Sequence, residues 1–184
     1  MTETPHTTAF RRILPEQAAV PRDDEPATDP AVPVGNLSTP EAVVAALYDA
    51  LSGPAEQDQP RDWRRFRALL LPGARFLVCR WQDEAGRRVP DLREWDADGF
   101  ITDAKSAYRS AGFWEREIVG RTERFGGIAH RFSTYESRVG SEESEPAGRG
   151  INSIQLVEFG GRWWIASVVW DFEAPDQPIP AEFL

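Results

Sequence analysis

The stretch "FGGRWWIASVVW", residues 159–170, decides the fold because Gly160–Gly161 separates two strand-like runs. Two-residue loops are the preferred turns of β-hairpins, and glycine tolerates the positive φ angles that they need. A second pair, Gly126–Gly127, lies in the same setting within "RFGGIAHRF". The sequence therefore predicts two antiparallel hairpins, over residues 113–139 and 150–173.

Counting outward from the two turns gives an expected register for each hairpin. In the first hairpin, His130 is expected to face Glu123, and Glu136 is expected to face Glu117. In the second hairpin, the expected pairs on one face are Leu156 with Ile165, Ile154 with Ser167, Asn152 with Val169 and Gly150 with Asp171. A slip of one residue would turn the side chains beyond it to the other face.

Apolar residues at helical spacing precede the hairpins. Thr39 is a good N-cap and Pro40 suits a first helical position, so "PEAVVAALYDAL" predicts a helix. Asp62 predicts a second helix, "WRRFRALLL", and residues 97–112 predict a third. Between the last two, "ARFLVCRWQ" predicts a strand, with a short return strand near Val89. Helices followed by a meander of strands indicate an α+β fold.

Composition limits the classes of partner. The chain has 184 residues and a net charge of −9, which argues against a nucleic-acid or anionic membrane surface and favours small molecules or another protein. The single cysteine and the absence of Cys/His clusters lead us to expect no metal and no cofactor. Without a long apolar run or a signal-type segment, we expect a cytoplasmic protein with no membrane association.

Proline and acidic residues mark the boundaries of the domain. Residues 1–37 are rich in Pro, Asp and Glu and are expected to form a disordered tail. The folded domain is expected over residues 38–173, and Pro175, Pro178 and Pro180 mark a C-terminal tail over residues 174–184.

The last strand is apolar on both faces, which predicts that both faces are covered. Trp163, Ile165 and Val169 are expected to point one way, and the opposite face is expected to carry Trp164, Ala166, Val168 and Trp170. The three helices can cover one face. For the other face we expect a homodimer, and cover by the tails of the chain itself is the alternative.

The order of these features resembles the nuclear transport factor 2-like superfamily, in its SnoaL-like branch. The resemblance covers roughly residues 38–173 and rests mainly on "GGIAHRFSTYESR" and "GGRWWIASVVW". It implies a strongly curved antiparallel sheet, a cystatin-like roll, with three N-terminal helices packed in its concave face. It also implies a pocket inside this cone and a dimer through the outer sheet face. Family members include dehydratases, isomerases, epoxide hydrolases, polyketide cyclases and non-catalytic domains, so the fold leaves the function open.

The resemblance also implies that the tryptophan opening the last strand faces the cone interior. It thereby places Trp163, Ser167 and Asp171 inside, with Asn152 beside them. Enzymes of the family use Asp, His or Tyr in an apolar cavity as acid and base. In many SnoaL-like members, histidines follow the tryptophan of the last strand, whereas this chain has Ser167 and Val169.

Two carboxylate pairings complete the candidates. His130 opposite Glu123 is either a general base with its orienting carboxylate or a structural pair. Glu136 opposite Glu117, with Glu115 close by, is an acid/base pair, a metal site or a solvated sheet end. The catalytic candidates are His130, Glu136 and Asp171, and the ligand-binding candidates are Glu117, Asn152, Trp163 and Ser167.

These residues lead to two functional hypotheses. The first is a domain that binds a small apolar molecule and performs cofactor-independent acid/base catalysis of the isomerase, dehydratase, cyclase or hydrolase type. The second is a non-catalytic dimerisation or protein-interaction domain.

Overall fold

The computed structural model of the protein describes residues 35–84 and 87–184. Its helices are α1 (Pro40–Leu51), α2 (Trp63–Arg67), α3 (Ala97–Ala107) and a final 3-10 turn (Ala181–Phe183). Its strands are β1 (Leu70–Glu84), β2 (Arg87–Trp95), β3 (Gly112–Phe125), β4 (Ile128–Gly140), β5 (Pro146–Phe159) and β6 (Arg162–Phe172). They form one sheet in the order β2-β1-β6-β5-β4-β3, in which only β1 and β6 run parallel. The expected α+β class is confirmed.

Helix α1 forms where its cap predicts. The Thr39 side chain accepts a hydrogen bond from the Ala42 backbone N–H at 3.2 Å, and Pro40 follows the cap. At the other end, the buried Arg61 guanidinium donates to the Leu51 carbonyl at 2.6 Å and to the Gly53 carbonyl at 2.9 Å. Since the last carbonyls of a helix lack partners within it, Arg61 supplies donors just where they are needed.

Helix α2 is shorter than the sequence indicates. We expected it to continue through "ALLL", but it ends at Arg67. Leu70 instead pairs with Ile165 of β6 in a parallel arrangement, and the Ile165 N–H donates to the Leu69 carbonyl at 2.9 Å. Burial of these leucines beside β6 therefore outweighs their helical propensity.

The three helices pack against one face of the sheet, which we call the inner face. The core between them includes Val43 of α1, Phe66 of α2, Phe76 of β1, and Trp163 and Ile165 of β6. The Phe66 and Phe76 rings stack with their centroids 5.6 Å apart. The helices therefore rest on a closely packed aromatic and aliphatic layer.

Both glycine turns are confirmed, and a β-bulge shifts the first hairpin further along. Phe125 faces Ile128, and His130 faces Glu123 as expected. The register then shifts between Glu117 and Val119. As a result, Glu136 pairs with Arg116 and Glu117 pairs with Tyr135, so the expected facing of Glu136 and Glu117 is wrong.

A second bulge reverses the faces of β6. Leu156 pairs with Ile165 as expected, but the next pairs are Gln155 with Ser167, Ile154 with Val168, Asn152 with Trp170 and Gly150 with Phe172. The extra residue is Ala166, so Val168 joins Trp163 and Ile165 in the core. The expected inward facing of Ser167, Val169 and Asp171 is therefore wrong, and they lie on the outer face.

Part of the outer face of β3 and β4 is covered by the C-terminal residues. The Phe183 ring packs on Phe132 with centroids 4.8 Å apart, and the Thr134 hydroxyl donates to the Phe183 carbonyl at 2.7 Å. Arg121 of β3 donates to the Glu182 carbonyl at 2.5 Å. Residues of the expected C-terminal tail thus occupy part of the face through which we expected a dimer to form. The dimer itself stays a prediction.

At the other end of the chain, packing begins with Leu37. Its side chain is buried in the core, and its carbonyl accepts a hydrogen bond from the Trp163 N–H at 2.9 Å. Residues 1–34 of the expected N-terminal tail lie outside the described residues. In the part of the chain that is described, no helix is long and apolar enough to cross a membrane.

Candidate functional site

A cleft of about 740 Å³ opens between α1 and the edge strand β3. Its walls are formed by Ala45, Tyr48, Asp49 and Ser52 on the helix side, by Trp114, Glu115, Arg116 and Glu117 of β3, and by Glu136, Arg138 and Glu142. Most of these side chains are polar or charged. The cleft therefore differs from the apolar cone interior that the family resemblance implies.

Ser52, which caps the C-terminus of α1, fixes the helix to β3 at the cleft. Its hydroxyl oxygen accepts a hydrogen bond from the Glu115 N–H at 3.0 Å and lies 3.2 Å from the Glu115 carbonyl oxygen. The same hydroxyl lies 2.8 Å from the Tyr48 carbonyl oxygen. The backbone that carries Glu115 is thus held against the last turn of the helix.

A chain of hydrogen bonds joins the two β3 carboxyls beneath the cleft. Asn152 Nδ2 donates to Glu115 Oε1 at 3.2 Å and to the Tyr48 hydroxyl at 3.0 Å. The Ser133 hydroxyl lies 2.7 Å from the Tyr48 hydroxyl and donates to Glu117 Oε2 at 2.6 Å. Since Ser133 has only one proton to give, Tyr48 is the donor to Ser133.

At the Glu117 end, the chain reaches a buried arginine. Arg131, which is 8% exposed, donates Nε–H to Glu117 Oε2 at 2.8 Å and Nη2–H to Glu117 Oε1. Its Nη1 donates to the Thr122 hydroxyl at 2.6 Å and to Glu41 Oε1 at 3.3 Å. The hydrogen bond from Thr122 and the charge of Arg131 lower the pKa of Glu41, and the Glu117 carboxylate raises the pKa of Arg131. This end is a paired ionic cluster.

At the Glu115 end, no cation of the described residues takes the place of Arg131. Burial raises the pKa of Glu115 to about 7, and the hydrogen bond from Asn152 opposes this rise only in part. Within residues 35–84 and 87–184, Asn152 is the only group that donates a hydrogen bond to the Glu115 carboxyl. Burial and the nearby Glu115 charge also raise the pKa of Tyr48, which is therefore a neutral phenol at physiological pH. Glu115 is thus the group of the cleft that can gain or lose a proton near neutral pH.

Three of the residues singled out from the sequence lie at or beside the cleft. Glu117 and Asn152 belong to the hydrogen-bonded chain described above. Glu136 lies in the cleft wall, where Arg138 at 2.6 Å and Arg116 at 3.2 Å contact its carboxylate. The hydrogen bond from Arg138 lowers the pKa of Glu136, so it is ionised at neutral pH.

The other four lie elsewhere. Trp163 is fully buried in the core, with the Arg124 guanidinium 4.7 Å from its ring centroid. His130 lies on the outer face, where its Nε2 is 2.9 Å from the Ser153 hydroxyl. Ser167 also lies on the outer face, as does Asp171, which accepts a hydrogen bond from Gln177 of the C-terminal segment at 2.9 Å. Their suggested roles in binding or catalysis stay predictions, and the geometry does not bring them to the cleft.

Glu115, Tyr48 and Ser133 were not among the catalytic or ligand-binding candidates chosen from the sequence. A signal was present for Glu115, because Glu115 and Glu117 alternate along β3 and alternation places both carboxyls on one face of a strand. Tyr48 belongs to the apolar side of α1 and is indistinguishable by pattern from a core residue. Nothing in the sequence shows that α1 crosses β3 at the level of Glu115.

Metal ligation gains no support from the described part of the chain, where no three His, Cys, Asp or Glu side chains are grouped to hold an ion. The carboxyls of the cleft are partnered by arginines, by an amide and by a hydroxyl instead. The cleft thus combines one carboxyl with a raised pKa and one fixed ionic cluster.

Comparison with solved structures identifies the class of fold. A protein of unknown function with a cystatin-like fold from Nostoc punctiforme matches with a TM-score of 0.52 and 11% sequence identity, over 73% of this chain and 89% of that one. A nuclear transport factor 2-like protein of unknown function from Pseudomonas putida matches with a TM-score of 0.50 and 12% identity, over 76% of this chain and 89% of that one. These matches confirm the expected cystatin-like fold and bear on the fold alone. The sequence matches no protein-family model and no curated protein.

Proposed function

We propose that the cleft between α1 and β3 binds a small organic molecule and moves a proton to and from it through Glu115, without a cofactor. Reactions of this kind include isomerisation, dehydration, cyclisation and hydrolysis. A substrate with a weakly acidic C–H or O–H group suits the site, because a carboxyl with a pKa of about 7 is a stronger base than an ordinary glutamate.

The observation that carries the proposal is the unequal pairing of two carboxyls on one strand face. Glu117 is neutralised by the bidentate contact of Arg131, whereas Glu115 has only the neutral amide of Asn152. A neutral partner leaves the cost of desolvating the charged carboxylate largely uncompensated, which keeps Glu115 titratable near neutral pH.

The remaining groups of the site orient Glu115. Asn152 fixes Glu115 Oε1, and Tyr48 in turn accepts the second N–H of the Asn152 amide. Glu115 Oε2 is left to take the proton of a bound molecule. Trp114 and Ala45 offer apolar wall for the body of that molecule, while Arg116 and Arg138 at the rim suit an anionic or carbonyl substituent.

Base-catalysed ring opening of a nitrobenzisoxazole tests this proposal without knowledge of the natural substrate. In that reaction a base removes the ring C–H proton, the N–O bond breaks, and a coloured cyanophenolate forms. We expect saturable turnover that rises with pH around a midpoint of about 7. Glu115→Gln should lower kcat/KM roughly 100-fold or more, because general-base catalysis contributes factors of that size.

Glu123→Gln is the matched control, because it removes an exposed carboxyl from the same strand outside the cleft lining. It should leave both the rate and the midpoint of the pH profile unchanged. Equal rates for the native protein, Glu115→Gln and Glu123→Gln would refute the proposed role of Glu115.

An apolar strip on the outer sheet face favours the second candidate function, dimerisation through that face. Leu92 of β2 is 61% exposed and pairs with half-buried Cys79, and half-buried Leu77 pairs with half-buried Val169 of β6. We propose that two copies of the chain meet along this strip. Sedimentation equilibrium should then give the mass of a dimer for the native chain and of a monomer for Leu92→Asp. A monomeric native chain at micromolar concentration would exclude this interface.

A further inference from the structure

A separate apolar surface lies at the ends of both glycine hairpins, and we infer that residues 9–14 of the same chain, "AFRRIL", dock on it. The surface is formed by Phe125, Ile128 and Phe159, and we call it the hairpin-end patch. It lies on the outer face and takes no part in the Glu115 cleft. This inference therefore stands independently of the proposed function, and each can fail without the other.

The hairpin-end patch is exposed beyond what isolated apolar side chains normally show. Phe125 is 84% exposed, Ile128 is 59% exposed and Phe159 is 46% exposed. The strand register makes the three residues contiguous. Phe125 pairs with Ile128, and Ile128 pairs with Val157. Phe159 lies two residues after Val157 on β5 and therefore on the same face. A continuous apolar surface in water is typical of a contact surface.

The N-terminal part of the chain enters the described structure beside this patch. The Leu37 carbonyl accepts from Trp163 N–H, Trp163 pairs with Glu158, and the Glu158 N–H donates to the Gly127 carbonyl. Three strand spacings, about 14 Å, therefore separate the path of Leu37 from the β3–β4 turn. The 21 Cα–Cα steps from Leu14 to Gly35 can span roughly 70 Å when extended, so the segment reaches the patch without strain.

The chemistry of residues 9–14 matches the patch. Phe10, Ile13 and Leu14 recur at the spacing of one helical face, and no other part of residues 1–34 brings three large apolar side chains so close together. Arg11 and Arg12 lie between them. On the patch side, Glu123 projects from the same face of β3 as Phe125 and offers a carboxylate to these arginines.

Covalent linkage to the domain favours residues 9–14 over a second copy of the chain as the occupant of the patch. A tethered segment acts at an effective concentration in the millimolar range, so a weak apolar contact is populated without any partner in solution. A second copy of the chain would have to reach that concentration by itself.

Tryptic cleavage of the full-length protein tests the docking, because the segment contains its own cleavage sites at Arg11 and Arg12. Protection falls as the undocked population rises, so Ile128→Asp should speed cleavage at these sites about tenfold. Arg22 lies in the same tail outside the proposed contact, and its cleavage rate should not change. Leu92→Asp makes the same chemical change elsewhere on the outer face and should leave all three rates unchanged.

A second measurement keeps the test independent of cleavage. In NMR spectra of the full chain, Phe10→Asp should shift the amide signals of Gly126 and Gly127, whereas Val20→Asp should not. Equal cleavage at Arg11 and Arg12 in the native chain and Ile128→Asp would overturn the inference. So would protection that grows with protein concentration, which would assign the patch to a second copy.

Discussion

The two faces of strands β3–β5 carry the two candidate bases of this protein, His130 and Glu115. By residue type alone, histidine would be preferred over glutamate, but the structure favours the glutamate. His130, whose imidazole is the side chain that most often serves as a general base, lies on the outer face with a hydroxyl partner. Glu115, whose ordinary pKa is far from neutral, lies on the inner side and reaches a pKa of about 7 through burial. The surroundings of Glu115, and not its residue type, therefore bring its pKa close to neutral.

The same lesson holds within the inner face. Glu115 and Glu117 are two residues apart on β3, and both line the cleft. Glu117 forms an ion pair with Arg131, whereas Glu115 accepts a hydrogen bond from the uncharged amide of Asn152. Four variants test these two differences.

Removal of the inner-face cation should have the largest effect. Arg131→Met leaves Glu117 partly buried without its guanidinium partner, and breaking such a pair costs about 3 kcal/mol or more. Urea unfolding at pH 7 measures the loss. Arg116→Met, which removes an exposed partner of Glu136, should cost less than about 1 kcal/mol. Equal losses in the two variants would show that the Arg131 cluster is no more than a surface pair.

Glu115→Gln should remove a pH-dependent loss of stability. The folded pKa of Glu115, about 7, lies above its ordinary value of 4.5, so the folded protein binds a proton that the unfolded chain has already released. The resulting stabilisation is complete below about pH 4.5 and is lost as pH rises through 7. This corresponds to about 3 kcal/mol.

The measurement for Glu115→Gln is the difference in unfolding free energy between it and the native chain, at pH 4.5 and at pH 8. Using the difference cancels the opposite contributions of Glu41, Glu136 and Glu173, whose pKa values are lowered. The native chain should lose stability relative to the variant on going to pH 8. A difference that does not change with pH would contradict the raised pKa of Glu115.

Asn152→Leu should raise the pKa of Glu115 further, because the Asn152 amide is the group that lowers it. We expect the midpoint of the nitrobenzisoxazole pH profile to move above that of the native chain. Stability should fall by roughly 1–3 kcal/mol, because the buried Tyr48 oxygen loses the N–H that it accepts and keeps only its bond to Ser133. Ser153→Ala changes the adjacent residue on the outer face and should leave the midpoint where it is. A midpoint in Asn152→Leu at or below the native value would break the assigned role of Asn152.

His130→Gln should have the smallest effect. It removes one partly buried hydrogen bond with Ser153, which is worth about 1 kcal/mol or less. Turnover of the nitrobenzisoxazole should stay within error of the native rate over the whole pH range. A loss of turnover comparable to that of Glu115→Gln would show that His130 takes part in the reaction and would contradict its structural role.

The sequence predicts those parts of the fold that depend on local chemistry. Thr39 and Pro40 place the start of α1, and two glycine pairs place both hairpins. The bulges are a different matter, since an extra residue such as Ala166 looks in sequence like any other strand residue. Because every side chain beyond a bulge changes face, Ser167 and Asp171 were expected inside and lie outside.

The candidate site is harder to predict than the fold for a related physical reason. A pKa near 7 arises at Glu115 from the crossing of α1 over β3 and from the presence of Asn152 where a cation would restore an ordinary value. Both conditions join residues far apart in the chain, as in the contact of Tyr48 with Asn152. Only the assembled fold reveals them, whereas alternation along β3 already places both carboxyls on one face.

The most direct test of the account is the pKa of Glu115, measured from its side-chain carboxyl carbon by NMR and assigned with Glu115→Gln. The account expects a midpoint of about 7 for Glu115. A Glu115 midpoint near the ordinary glutamate value of about 4.3 would contradict it. The cleft would then hold an ordinary solvated carboxylate, with no base matched to neutral pH.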